Sequence, residues 1–322
     1  MSAKDWNLTM VKAREALAML PRRPGSDGEI DWGEIEIAQI DTGYTEHAVF
    51  GPWSNGTSPT LFVDDGVNFI EPGTRPFDSL DYKGIPGHGT RILSVLCGDL
   101  PGSMVGVAPG VPTIPYRSIR HVVIDSKSAR KRIAAAIRHA TDVNRAEIIS
   151  MSLGFPQMSL FGQRHLGEAV DHAYEQGIIV VAAGGQIIDR VTYPGKFSRS
   201  IGVGGIRPDR NVWFRYDKSM AKRSIDIWGP ADDMYRANSV LQNGGVVEAP
   251  YGRGDGTSYA TPMSLLPLQC GWFTIATRST ISIANRGSGS KLSTHSFAPQ
   301  ASRSKAITGP IKREAFSRSK HS

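Results

Sequence analysis

The chain has 322 residues, 40% hydrophobic and 21% charged, as in a globular protein with a substantial core in one large or two ordinary domains. No apolar run reaches the roughly 18 residues that span a bilayer. Residues 1–20 carry charges throughout and lack the apolar core of a secretory signal, so none is expected there. A cytoplasmic protein with no membrane association is therefore expected.

The net charge of +7 is unevenly placed: residues 1–264 hold 28 Lys and Arg against 29 Asp and Glu, and residues 265–322 hold 9 against 1. A basic excess confined to a Ser-rich tail signals a solvated segment rather than a nucleic-acid surface. Cys97 and Cys270 are far apart and lack metal-ligand spacing, so buried free thiols in a reducing compartment are expected.

Taken in chain order, the N-terminal stretch, if helical, turns Leu8, Val11, Leu17 and Leu20 inward. "IEIAQI" (35–40) reads as a strand that stops at Asp41. "HGTRILSVLCG" (88–98) reads as a helix ended by Gly98, and "TIPYRSI" (113–119) as a strand. "SARKRIAAAIRHATD" (128–142) is an amphipathic helix with Ser128 as its cap and Ile133, Ala136, Ile137 and Ala140 on one face. "AEIISMSLG" (146–154), "IIVVAAGG" (178–185) and "RSIGVGG" (199–205) are further apolar strands, with a helix over 166–177 closed by Gly177. Runs this hydrophobic, separated by helices, predict an α/β fold: a doubly wound, mostly parallel sheet with helices on both faces. Sites in such sheets gather at the carboxyl ends of the strands, where Asp41, Gly154 and Gln186 fall.

Three motifs carry chemistry. "DTG" (41–43) follows a strand; alone it suits an aspartate opening a turn, or half of an aspartic-protease site that a homodimer would complete. "GHGT" (87–90) sets His88 between glycines at a helix start, a setting none of the other seven histidines shares. "GDGTSYATP" (254–262) places Ser258 in a tight, side-chain-poor turn with Asp255, Thr257 and Ser258 as cap types and Pro262 in the first helical turn. That is a setting for a nucleophile beside free N–H groups, and equally for an ordinary capped helix.

Together the three motifs, with "VGVAPG" (105–110), "ISMSLG" (149–154), "VVAAGGQ" (180–186) and "TYPGKF" (192–197), resemble the subtilisin-like serine protease (subtilase) family from about Trp6 to Pro262. The resemblance implies a serine endopeptidase acting through an acyl-enzyme, with Asp41 as catalytic acid, His88 as base and Ser258 as nucleophile. It puts Gln186 where the family has an asparagine oxyanion donor; the longer stem can donate from a shifted position, or Gln186 is a loop residue. It assigns substrate binding to Ser152, Leu153, Gly154, Ala183, Gly184, Gly185 and Thr192. The strand edges at 152–154 and 183–185 would pair with the substrate's main chain. Thr192 would close an uncharged pocket for the residue before the cut bond. The implied partner is a peptide or protein substrate; no cofactor is implied, and structural calcium, which relatives hold in unmatched loops, is left unplaced. The alternative is a pseudoprotease that binds peptides without turnover.

After Pro262 the family pattern stops. Pro267 and Gly271 interrupt what the family builds as a long buried helix. Residues 1–264 are thus expected to be a subtilisin-like peptidase domain lacking the family's C-terminal part. Residues 265–322 are expected to be a basic, Ser-rich, disordered or non-native tail, leaving the helix that carries Ser258 poorly packed.

Overall fold

Strands β1 (Ile37–Asp41), β2 (Asp99–Leu100), β3 (Met104–Val105), β4 (Thr113–Arg117), β5 (Ile148–Met151), β6 (Ile179–Ala183), β7 (Ile201–Ile206), β8 (Ile227–Pro230), β9 (Met234–Gln242) and β10 (Gly245–Gly254) lie among the residues described by the computed structural model. Those residues are 4–124, 126–155, 164–186, 190–213 and 225–266. The expected tail and Cys270 fall outside them, apart from Leu265 and Leu266.

Six strands form one parallel sheet in the order β4-β1-β5-β6-β7-β8. Every residue of β1, β4 and β5 is buried, so these strands show no regular polar alternation; Gln39, Asp41, Thr113, Arg117 and Ser150 are buried along with their apolar residues. Side chains still alternate between layers. Ile37 and Ile148 join one core with Ile92, Leu93 and Leu96 of α3 (His88–Cys97). Ala38, Ile40 and Ile149 join a second core with α4 (Lys127–His139) and α5 (Arg164–Glu175) on the other face. The doubly wound α/β architecture expected from the sequence is the one formed.

The N-terminal stretch forms two short helices, Trp6–Met10 and Ala13–Ala18, broken at Lys12, whose φ is 54°. Leu20 is buried and Leu8, Val11 and Leu17 pack against the first core, as expected. The cap of α4 is corrected from Ser128 to Ser126, whose Oγ accepts the Ala129 N–H at 3.1 Å. Strands β9 and β10 make an antiparallel hairpin that the sequence reading passed over.

The last described helix, α6 (Thr257–Met263), carries Ser258. Pro262 stands near its end rather than in its first turn. The expectation of poor packing is also corrected. Tyr259, Ala260, Met263, Leu265 and Leu266 are all buried in the first core, so the short helix is anchored both along its length and just beyond its end.

The chain runs from β1 to β4 on one side and later to β5 on the other. The crevice where strand order reverses therefore opens at the end of β1, and Asp41 is its last residue.

Candidate active site

Asp41 and His88 meet at this crevice. His88 Nδ1 and Asp41 Oδ1 are 2.8 Å apart, with Asp41 1% and His88 6% exposed. The carboxylate also accepts the Thr42 N–H on Oδ1 at 2.7 Å and a longer bond from Gln39 Nε2 on Oδ2 at 3.4 Å. With Asp41 as acceptor, the imidazole proton sits on Nδ1 and leaves Nε2 as the basic nitrogen.

Close approach of two backbones makes this meeting possible. A Cβ on Gly89 would lie 2.0 Å from the Gly43 carbonyl oxygen, so no other residue fits beside His88 there. The Gly89 N–H donates to Thr42 Oγ1 at 2.9 Å, which staples the start of α3 to the turn after β1. The threonine of "DTG" thus ties the motif to the histidine.

Helix α6 packs against α3 and presents Ser258 in its first turn. Ser258 Oγ donates to the Ser152 carbonyl at 3.1 Å, and Ser152 Oγ donates back to the Ser258 carbonyl at 2.7 Å. The second bond has a cause in the sequence: proline at 262 lacks the N–H that would take the Ser258 carbonyl along the helix. Among the described residues no hydrogen bond joins Ser258 to His88. The structure thus brings Asp41 and His88 into direct contact and rests the serine hydroxyl on the Ser152 carbonyl.

The cap of α6 is not Asp255, Thr257 or Ser258. Gly256, with φ of 145°, occupies the cap position, and the acceptor comes from Gln186. Gln186 Oε1 takes the Thr257 N–H at 2.9 Å and the Thr257 hydroxyl at 3.4 Å. A Cβ on Gly256 would come within 2.8 Å of that oxygen, so glycine is what admits the amide. With Oε1 committed, Nε2 is left as the donor, next to the first-turn N–H groups of α6.

A cavity of about 90 Å³ opens beside Ser258, lined by Ser152, Leu153, Gly154, Ala183, Gly185, Gln186 and Thr192 together with Val122, Val123 and Thr257. Among the described residues no charged side chain lines it. Thr192 forms one wall: a Cβ on Gly154 would meet its Oγ1 at 2.3 Å, and one on Gly185 its Cγ2 at 2.6 Å.

Within the expected strand edges, Gly154 and Gly184 bond to other parts of the chain. The Gly154 N–H donates to Val122 O and its carbonyl accepts from the Ile124 N–H, both at 2.9 Å. Gly184 sits behind the lining, its N–H on Val203 O at 2.8 Å and its carbonyl taking the Thr192 N–H at 2.9 Å. In this structure both glycines make space, and their main-chain groups are satisfied within the chain. The segment 122–124 was missed because its pairing with Gly154 depends on the fold; its only local trace is the β-branched run "VVI".

Cys97 is buried and free, and burial pushes its thiol up to about 12. No cluster of three or more metal-ligating side chains occurs among the described residues, and no helix there is long and apolar enough to cross a membrane.

Comparison with known proteins gives the family and the fold. The chain is 28% identical to subtilisin E of Bacillus subtilis (strain 168) over 235 residues, 71% of this chain and 52% of that protein. It is 28% identical to the major intracellular serine protease of the same organism over 239 residues, 71% of this chain and 65% of that one. The chain thus spans about half the length of subtilisin E. Among solved structures, sphericase is 25% identical with a TM-score of 0.51, over 75% of this chain and 77% of that one. The epidermin leader peptide processing serine protease of Staphylococcus aureus, at 19% identity and TM-score 0.56 over 82% and 69%, shares the fold. The sequence model of the subtilase family matches residues 33–264, and the chain belongs to that family.

Proposed function

We propose that this chain is a serine endopeptidase with Asp41, His88 and Ser258 as its catalytic residues. The observation that carries the reading is the buried 2.8 Å contact between His88 and Asp41, which leaves Nε2 free to take a proton at the crevice where α6 presents a serine. A serine hydroxyl is a weak nucleophile until a neighbouring base accepts its proton. Ser258 Oγ turns from Ser152, gives its proton to His88 Nε2 and attacks the scissile carbonyl carbon. The C–N bond then breaks as His88 returns that proton to the leaving amine, giving an acyl ester on Ser258. Water, deprotonated by the same nitrogen, hydrolyses the ester. Asp41 holds the Nδ1–H tautomer and stabilises the imidazolium throughout. The negative charge on the tetrahedral intermediate is met by the Ser258 N–H and by Gln186 Nε2.

The substrates are peptides or proteins, with an uncharged, apolar residue before the cut bond; the uncharged lining of the cavity beside Ser258 supports that choice. The likeness to a major intracellular serine protease supports action inside the cell. Reaction with a fluorophosphonate probe tests the assignment. The folded protein is expected to be labelled on Ser258 and Ser258→Ala to be silent. No labelling of well-folded wild-type protein would overturn the reading.

A further inference from the structure

We propose that Asp78 is a positioning residue for His88: its buried carboxylate takes the backbone N–H of Gly87 and so sets where α3, and the imidazole at its first residue, begins. The inference rests on the catalytic reading of His88 above and adds to it a residue that neither a motif nor the family resemblance singles out.

Asp78 is fully buried, and a carboxylate is tolerated there only with donors around it. It has three. Oδ1 accepts the Leu80 N–H at 3.1 Å, and Oδ2 accepts the Tyr82 hydroxyl at 3.1 Å and the Gly87 N–H at 2.9 Å. Burial first, and the Asp78 charge second, push the Tyr82 phenol above its ordinary value and keep it a donor. Gly87 occupies the cap position of α3 with φ of 73° and has no side chain to serve its own helix. The carboxylate that reaches this helix start comes from nine residues upstream.

Asp78 is in turn tied to the segment that carries Asp41. Its own N–H donates to Tyr44 O at 2.7 Å, and the Tyr44 N–H donates to Pro76 O at 3.1 Å, zipping 76–78 to the turn after β1. On the far side of His88, the Gly89 N–H is held by Thr42 Oγ1. The backbone of His88 is therefore gripped through both neighbours, by acceptors that belong to, or are bonded to, residues 42–44. These contacts close a ring from Asp41 through Tyr44, Asp78 and Gly87 to His88, and the Asp41–His88 contact completes it. Cutting the Asp78 link lets α3 shift relative to Asp41, and a displacement of about 1 Å at a reacting group costs about 10²-fold in rate.

The test is Asp78→Asn in the full chain. Oδ2 alone serves Gly87 and Tyr82, so an amide N–H on that side meets the Gly87 N–H directly. An amide N–H on the Oδ1 side loses the Leu80 bond that orients the group and leaves a neutral, weaker acceptor for Gly87. The grip on Gly87 is loosened either way. The expected result is a kcat lowered about tenfold or more on a peptide substrate at unchanged KM, since the loss lies in alignment and not in binding. Fluorophosphonate labelling should slow by the same factor. The downfield proton resonance of the His88–Asp41 hydrogen bond should move or broaden. A folded Asp78→Asn protein with wild-type kcat and an unmoved resonance overturns the proposal, even if its melting temperature has dropped. If the wild-type protein is not labelled at all, the protease reading fails separately, and the resonance alone still decides whether Asp78 sets the His88–Asp41 contact. If Asp78→Asn does not fold, Tyr82→Phe carries the test. It removes one donor from Oδ2 and should lower kcat about two- to fivefold with a shifted resonance; no change in either overturns the proposal.

Discussion

We assign Gln186 two separable roles, and two substitutions pull them apart. Its Oε1 caps α6 through the Thr257 N–H at 2.9 Å, and Nε2 is the donor proposed for the oxyanion. Gln186→Glu keeps the length and the acceptor but replaces the donor with a second oxygen. Gln186→Met keeps the bulk and removes both polar atoms. Removing one oxyanion donor costs about 10²–10³ in kcat, about 3–4 kcal/mol. Loss of a helix-capping acceptor costs about 1 kcal/mol of stability. A carboxylate near a helix start instead contributes about 0.3–1 kcal/mol. Both variants should therefore lose at least about 10² in kcat at little change in KM. In urea unfolding, Gln186→Met should be less stable than Gln186→Glu by about 1–2 kcal/mol. Steady-state hydrolysis of a chromogenic peptide reads the first quantity. A Gln186→Glu enzyme within threefold of wild-type kcat would refute the donor role, and equal stabilities would refute the cap.

Ser152→Ala removes the hydroxyl that donates to the Ser258 carbonyl, a bond proline at 262 cannot replace; unfolding free energy should fall by about 1 kcal/mol, and unchanged stability contradicts this. Thr192→Ala deletes the atoms that press toward Gly154 and Gly185, so kcat/KM should shift about tenfold toward substrates with a longer apolar side chain before the cut bond. A matched substrate pair measures the ratio, and an unmoved ratio removes Thr192 from the wall. His47 is buried between Phe50 and Tyr251, and its Nδ1 accepts the Val49 N–H at 3.1 Å. Burial lowers its pKa, with Glu248 at 3.9 Å pulling weakly the other way. The unfolded chain thus takes up a proton near pH 6.5 that the folded chain resists. This contribution to stability is present above that pH and lost as pH falls. Urea unfolding at pH 7.5 and 5.5 should show a decline that His47→Gln reduces; an identical decline in both proteins rules His47 out.

The parts of the fold legible in the sequence are those where burial acts on every residue of a segment. β1, β4 and β5 are covered on both faces, so the apolar residues that dominate them announce them without a regular alternation. Asp41 and His88 could be read because close backbone approach forces glycine beside them, as at Gly89, and Ser258 because glycine at 256 admits the Gln186 amide. The hairpin had a local signal that went unread: Asn243 and Gly244, with φ of 52° and 76°, form the two-residue turn that such a pair favours. Asp78, the pairing of Gly154 with residues 122–124, and the Ser152–Ser258 exchange left no comparable trace. Each depends on a partner at least nine residues away, and each uses a residue type that is ordinary in a loop.

Each group assigned to the reaction is held by its neighbours more than by its own side chain. Asp41 ends a strand paired on both sides and accepts the N–H of the next residue along the chain. His88 begins a helix whose flanking N–H groups are taken by Asp78 and Thr42. Ser258 lies in a seven-residue helix, too short to be stable alone, that is fixed at its start by Gln186, beside its proline by Ser152, and beyond its end by the buried Leu265 and Leu266. Such a site tolerates little displacement, because moving one segment breaks a bond that another segment supplies. Gly43, Gly89 and Gly256 are therefore not spacers around the chemistry. They are where one backbone, or a side-chain amide, must come within a bond's reach of another, and a single added methyl at Gly89 would hold the acid and the base apart.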